Sequence, residues 1–77
     1  MRELLEFLLK GILGDDNYSI EEEKEENHVR FLIDTKPENM GLIIGKRGKT
    51  IRTIRNLLRV RATLEKKGVS VAVVEKE

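Results

Sequence analysis

The stretch Gly41–Thr50, GLIIGKRGKT, places two glycines three positions apart between two segments of helical character. So short a link, Gly45–Gly48, here called the glycine turn, requires both glycines to adopt dihedral angles that residues with a side chain avoid. The turn carries cations, and the helix that opens at Gly48 presents free N–H groups and the positive end of its dipole. The stretch therefore predicts two helices joined by a turn that attracts a phosphate group.

That phosphate could belong to a nucleoside triphosphate or to the backbone of a nucleic acid. Gly48-Lys49-Thr50 matches the end of the Walker A pattern G-x-x-x-x-G-K-[ST], but Ile43 stands where the first glycine is required. A chain of 77 residues also scarcely accommodates the parallel α/β sheet around that motif, and the dinucleotide pattern G-x-G-x-x-G is absent. The sequence therefore favours a nucleic-acid backbone as the ligand of the glycine turn.

Composition and charge predict one small domain with a basic half. A chain of 77 residues buries only about 60% of its unfolded surface, which is too little for two cores. Only Phe7, Tyr18 and Phe31 are aromatic, so the core must be aliphatic. Residues 1–40 hold 5 Lys and Arg against 11 Asp and Glu, whereas residues 41–77 hold 10 against 3. The second half can therefore meet a polyanion, although a charge run is often a solvated helix face.

Hydrophobic periodicity predicts elements on either side of the helical pair. The spacing of the leucines predicts a first helix over residues 2–13, closed by Gly14. Residues 18–27 are polar enough to be a solvated edge strand with its hairpin turn, and the alternation over 29–34 is typical of a half-buried strand. Residues 69–74 are β-branched and predict a last strand. The predicted order is α-β-β-α-α-β, an α+β fold.

The helices that flank the glycine turn have recognisable ends. Pro37 at a first helical position starts a short helix that ends at Gly45. The second helix runs from about Gly48 to about Lys66 and is ended by Gly68.

The long helix has three faces when its side chains are placed at 100° per residue. One face can pack on a sheet and consists of Ile51, Ile54, Leu58 and Ala62. A neighbouring face is cationic and consists of Arg52, Arg55, Arg59 and Lys66. The third, here called the apolar patch, consists of Leu57, Val60 and Leu64. It either receives the first helix or marks a subunit contact, and we expect packing within the chain, the commoner fate of apolar side chains.

Side chains suited to catalysis or metal binding are few and scattered. The chain has no cysteine, and His28, its single histidine, falls in the predicted hairpin among solvated acids. The acids of Asp15-Asp16 and Glu21–Glu23 are adjacent, and neighbouring strand residues point to opposite faces, so they do not converge on a cation. We therefore expect no enzyme, no metal and no other cofactor.

The N-terminus does not predict export or membrane insertion. Its apolar run, LLEFLLKGIL, is interrupted by Glu6 and Lys10 and lacks a small-residue cleavage site. It is also shorter than the ~20 residues needed to span a bilayer. We expect a cytoplasmic location and no membrane partner.

The residues of the glycine turn resemble a known signature. Ile43–Ile51, IIGKRGKTI, looks like the KH-domain pattern [IV]-I-G-x-x-G-x-x-[IL], and the element order resembles the type II, or prokaryotic, arrangement. More closely, Pro37–Gly48 followed by Ile54-Arg55 resembles the small bacterial single-KH-domain RNA-binding proteins of the KhpA (YlqC) family. The resemblance covers nearly the whole chain and implies one KH domain over 1–77, with an N-terminal helix and strand extension over 1–26 and a KH core over 27–76.

The resemblance implies a three-stranded sheet with three helices packed on one face, binding about four nucleotides of a single strand. By this resemblance the phosphate clamp is Gly45, Lys46, Arg47 and Gly48. Bases would lie in an aliphatic groove between the helices and the central strand, lined or supported by Ile43, Ile44 and Ile51. The residues themselves agree on the clamp, and their position on the helix lets the phosphate track continue along Lys49, Arg52 and Arg55. Too few aromatic residues are present for a stacking platform.

We therefore expect a single-stranded RNA-binding protein, an RNA chaperone, with no small-molecule substrate. One clamp grips few phosphates and binds weakly, so useful affinity requires a second clamp. The family implies a homodimer or a heterodimer with a second KH-containing protein, and the apolar patch is a candidate surface for that pairing. Two alternatives stay open: a KH-fold protein-interaction module and a single-stranded DNA binder.

Overall fold

The computed structural model describes residues 1–14 and 17–75. In chain order they form helix α1 (Arg2–Leu13), strands β1 (Tyr18–Lys24) and β2 (His28–Thr35), helices α2 (Pro37–Ile44) and α3 (Lys49–Leu64), and strand β3 (Gly68–Glu75). A single 3₁₀ turn, Lys46–Gly48, joins α2 to α3. This order confirms the predicted α+β fold.

The three strands form one mixed sheet with β2 in the middle. Strand β1 pairs with β2 antiparallel through the hairpin, with Ile20 opposite Ile33, and β3 pairs with β2 in parallel, with Phe31 opposite Val71. A parallel pair needs a long crossover connection, which α2 and α3 supply. The segment that carries the glycine turn is therefore the crossover between β2 and β3.

The three helices cover one face of this sheet, as expected. Alternate residues of the strands are buried against them, and these are Ile20, Val29, Phe31, Ile33 and Val71. The helices contribute Leu5, Leu9, Ile43, Ile51, Ile54, Leu58 and Ala62. Phe31 is the one aromatic side chain in this buried set, so the described core is aliphatic apart from that ring. The period-2 pattern of β2 and the sheet-facing arc of α3 are both confirmed.

The end of α3 differs from the prediction that Gly68 terminates it. The helix ends at Leu64, and Lys66 adopts the left-handed conformation with φ 58°. The N–H of Lys67 donates to the carbonyl of Ala62 at 2.9 Å, and that of Lys66 donates to Thr63 at 3.1 Å, a Schellman pattern. Gly68 instead begins β3. Lys66 thus occupies the left-handed position after the helix, where glycine is the usual residue.

The apolar patch is exposed, so the expectation that α1 packs on it was wrong. Leu57, Val60 and Leu64 are 42%, 64% and 76% exposed. Helix α1 lies beside the patch without covering it, and the amino group of Met1 lies 3.8 Å from the carboxylate of Glu65. Successive 100° steps place Val60 about 160° from Ala62, so a helix that buries Ala62 turns Val60 to solvent. With Leu4 and Arg61, the patch lines an open apolar concavity of about 420 Å³.

Candidate nucleic-acid interface

The backbone of the glycine turn explains why both of its ends are glycine. Gly45 has φ 76° and ψ 171°, a region that only glycine populates, and a Cβ there would lie 2.8 Å from the backbone nitrogen of Thr50. Gly48 has φ 73° and ψ 17°, which is left-handed, and its N–H donates to the carbonyl of Gly45 at 3.1 Å. The chain therefore reverses within the four predicted residues, and α3 starts immediately afterwards.

Cations surround this turn at the N-terminus of α3. Lys46, Arg47 and Lys49 are exposed and line a concavity of about 200 Å³. Within residues 1–14 and 17–74, no carboxylate forms an ion pair with any of the three. Helix α3 has no side-chain cap at Gly48 and no acid in its first turn, so the positive end of its dipole is available to an anion. The arrangement favours binding of a phosphate.

Arg47 and Arg52 are linked across the turn. Arg47 is left-handed, with φ 58° and ψ 26°, although it is not a glycine. The Nη2 of Arg52 donates to the carbonyl oxygen of Arg47 at 2.8 Å. In the structure the Arg52 guanidinium is therefore bound to the backbone of the turn, whereas the sequence placed it on the phosphate track.

A second concavity, of about 240 Å³, lies between α3 and β3. It is lined by Arg55, Arg59, Val69, Ser70 and Val71, and the Nη2 of Arg55 donates to the carbonyl of Val71 at 3.3 Å. Its strand residues all belong to the edge strand β3, so this concavity does not border the central strand, where the resemblance implied a groove. Val69 and Ser70 were not among the predicted site residues, because only the parallel pairing with β2 brings β3 beside α3.

The sequence matches the family described as KhpA/KhpB, KH domain over residues 2–73. The chain belongs to this family. Similar proteins named RNA-binding protein KhpA come from Caldanaerobacter subterraneus subsp. tengcongensis, 34% identical over 76 residues, and from Clostridium acetobutylicum, 31% identical over 75 residues. Each of these alignments covers 96% of this chain and 100% of the relative. A third, from Clostridium perfringens, is 29% identical over 75 residues.

The KhpA/KhpB KH domain brings some of the ten predicted site residues together and separates others. The glycine turn, Lys49 and Arg52 form one cluster, and Arg55 belongs to the concavity beside β3. Ile43 and Ile51 are buried in the core that supports the turn. Ile44 lies next to the turn and is partly exposed. Of the three isoleucines, Ile44 therefore has the surface with which to contact a ligand.

The acidic residues and the histidine that the sequence offered for catalysis or metal binding do not form a cluster in the described part of this KhpA/KhpB KH domain. Within residues 1–14 and 17–75, no three His, Asp or Glu side chains are grouped as metal ligands, and Asp15-Asp16 lies outside the described residues. Glu22 and Glu23 point to opposite faces of β1, as expected of neighbouring strand residues. His28 opens β2 and its Nε2 lies 3.0 Å from the Oγ of Ser70. No helix in the described ranges is both long and apolar enough to cross a membrane.

Proposed function

We propose that this chain binds single-stranded RNA by holding the sugar–phosphate backbone on the glycine turn. The observation that carries the proposal is the convergence of Lys46, Arg47 and Lys49 on the uncapped N-terminus of α3. Phosphate oxygens accept strong hydrogen bonds from such cations and from helix N-terminal amides. The relatives named RNA-binding protein KhpA support RNA as the class of ligand.

A single strand suits the surroundings of the turn better than a duplex does. The concavity beside β3 lies along α3 from the turn, since Lys49 and Arg55 are separated by about 9 Å of helix at 1.5 Å per residue. A strand whose phosphates rest on the turn can direct its bases into that concavity, where Val69 lies beside the polar side chains of Arg55, Arg59 and Ser70. Bases can be turned outward in this way only when they are not paired in a helix.

The same features support a role as an RNA chaperone. Phosphate contacts carry no sequence information, so a protein that depends on them binds many RNAs. A site with three or four cations engages few phosphates, and its affinity is modest and falls with salt. Rapid, sequence-tolerant and reversible contact with exposed single strands is what a chaperone of RNA folding requires.

Amide chemical shifts of the ¹⁵N-labelled protein, followed during titration with a short single-stranded RNA, test this proposal. We expect the largest shifts in the glycine turn and the first turn of α3, with smaller shifts along Val69–Val71. A duplex of the same sequence should produce little change, and single-stranded DNA is the comparison for the 2′-hydroxyl. Equal affinity for DNA would mean that the sugar is not distinguished. The proposal fails if RNA produces no shifts at low salt, or produces them only on the exposed sheet face.

Pairing of two copies through the apolar patch completes the proposed function. Leu57, Val60 and Leu64 form a continuous exposed strip on α3, the surface that a protein-interaction module would also use. Two linked clamps bind one RNA with greater avidity than either clamp alone, without any new contact. The same patch can accept a second KH-containing protein, so the occupant depends on which partner is present.

We expect the native chain, 8.9 kDa as a monomer, to sediment as a dimer at high concentration. Leu64→Lys should shift it to monomer because the charge would be buried in the contact. Thr63→Lys is the matched control, since this exposed neighbour on α3 points about 100° away and should leave the dimer intact. A native chain that stays monomeric at every concentration, and binds no KH-containing partner, would contradict this pairing.

A further inference from the structure

The Arg52 side chain lies against the back of the glycine turn. Its Nη2 is 2.8 Å from the carbonyl oxygen of Arg47, and a Cβ built on Gly48 would lie 3.8 Å from the same nitrogen. Both left-handed residues of the turn are therefore next to one guanidinium group.

The backbone conformation of Arg47 is unfavourable, so a bond to its carbonyl helps to hold it. A residue with a Cβ is less stable in the left-handed region than in a right-handed helix, because the Cβ crowds the following carbonyl oxygen. In the described ranges one other non-glycine residue, Lys66, is left-handed, and it lies within two backbone hydrogen bonds of a Schellman pattern. Arg47 likewise lies within two backbone hydrogen bonds, from Gly48 to Gly45 and from Lys49 to Lys46, and its carbonyl accepts an additional bond from a charged side chain, Arg52.

We propose that Arg52 is a positioning residue for the glycine turn, and that it acts on RNA through the backbone of the turn and not through a phosphate. The inference rests on the proposed function, because the backbone of Arg47 determines where its own side chain and the Gly48 amide point. A turn held in its binding shape avoids the ordering cost that a flexible turn would meet on binding. Arg52 thus differs from Lys49, which is free to contact a phosphate.

Two matched variants separate positioning from phosphate contact. Arg52→Met and Lys49→Met each remove one exposed positive charge from the start of α3, and Met, Lys and Arg have similar helix propensities. If Lys49 contacts a phosphate, Lys49→Met should lower the slope of log K against log salt by about 0.7. Arg52→Met should weaken RNA binding by about fivefold to tenfold at each salt concentration and leave the slope unchanged.

Hydrogen exchange of the RNA-free protein tests the same role independently. The N–H groups of Gly48 and Lys49 donate to the carbonyls of Gly45 and Lys46, so their exchange rates report on closure of the turn. We expect Arg52→Met to speed exchange at both amides by roughly fivefold, which is the effect of one net hydrogen bond. Lys49→Met should leave both rates unchanged. Arg52→Lys, which keeps one donor group, should be intermediate.

Each outcome decides between the two roles. Unchanged exchange in Arg52→Met, or a salt slope that falls as it does in Lys49→Met, overturns the positioning role. If the native protein binds no RNA at low salt, the proposed function fails, while the exchange rates still show whether Arg52 holds the turn. Faster exchange in Arg52→Met together with an unchanged salt slope supports both the proposed function and the positioning role of Arg52.

Discussion

Reversing the two tip charges with Lys46→Asp and Arg47→Asp is expected to weaken binding of a short single-stranded RNA by about a hundredfold at about 0.1 M salt. In the proposed function each side chain contributes one charge-assisted contact, and two losses of about 1.4 kcal/mol give this factor. The fold should survive, because both residues are exposed and Asp is among the residues that best tolerate the left-handed conformation of Arg47. Fluorescence anisotropy measures the affinity, and circular dichroism confirms folding.

The salt dependence of this variant carries more information than its affinity at one salt concentration. Each phosphate contact with a single strand adds about 0.7 to the slope of log K against log salt. Removing two contacts should therefore lower the slope by about 1.4. A loss of affinity without that change in slope would mean that the substitutions act on something other than phosphate contacts.

Lys66→Asp with Lys67→Asp is the matched control. It makes the same change in charge, it also includes one left-handed residue, and it lies at the other end of α3. The helix has 16 residues, which is about 24 Å and more than a Debye length at this salt concentration. We expect less than a threefold effect. Comparable losses in the two variants would show that overall charge, and not the turn, attracts the RNA.

The sequence was informative where local rules and tertiary packing agree. The alternation of Val29, Phe31 and Ile33 matches a strand with one buried face, and Pro37 and Gly45 mark the ends of α2 as predicted. The position of the glycine turn could be predicted because its backbone angles exclude most other residues. These features depend on a few neighbouring residues, so one sequence is sufficient to recognise them.

The sequence was misleading where the outcome depends on long-range geometry or on a residue that departs from its usual preference. Lys66 follows α3 in a left-handed conformation that is usually taken by glycine. The sequence therefore predicted that Gly68, the nearest glycine, terminates the helix. Whether the apolar patch was covered depended on where α1 docks, which the periodicity of α3 does not specify. The bond from Arg52 to the turn likewise depends on which way a long, flexible side chain points.

Replacing Gly45 by alanine is expected to lower the free energy of unfolding by about 3 kcal/mol or more. The backbone angles of Gly45 cost any other residue roughly 1–3 kcal/mol. The new Cβ would also overlap the Thr50 side chain and approach its backbone nitrogen at 2.8 Å, where neither the helix nor the turn can yield cheaply. For a domain of this size the melting temperature should fall by about 12 °C or more.

Gly48→Ala and Gly41→Ala are graded controls for this prediction. At Gly48 a Cβ meets nothing closer than 3.8 Å, so only the left-handed backbone is penalised, by about 1 kcal/mol. At Gly41, inside α2 and exposed, a Cβ meets nothing within 4 Å, and alanine should stabilise the helix by about 0.5–1 kcal/mol. A melting temperature for Gly45→Ala no lower than that for Gly48→Ala would contradict the proposed overlap with Thr50.

This ranking also determines which substitutions can report on RNA binding. A Gly45 variant would lose affinity because the turn cannot form, so its failure to bind would not distinguish a phosphate contact from a folding requirement. Lys46 and Arg47 are not among the buried core residues, so substituting them, unlike substituting Gly45, should not prevent the turn from forming. The two glycines set the path of the backbone and the two cations between them supply charge, so the residues that fold the turn and those proposed to bind RNA are adjacent but separable by mutation.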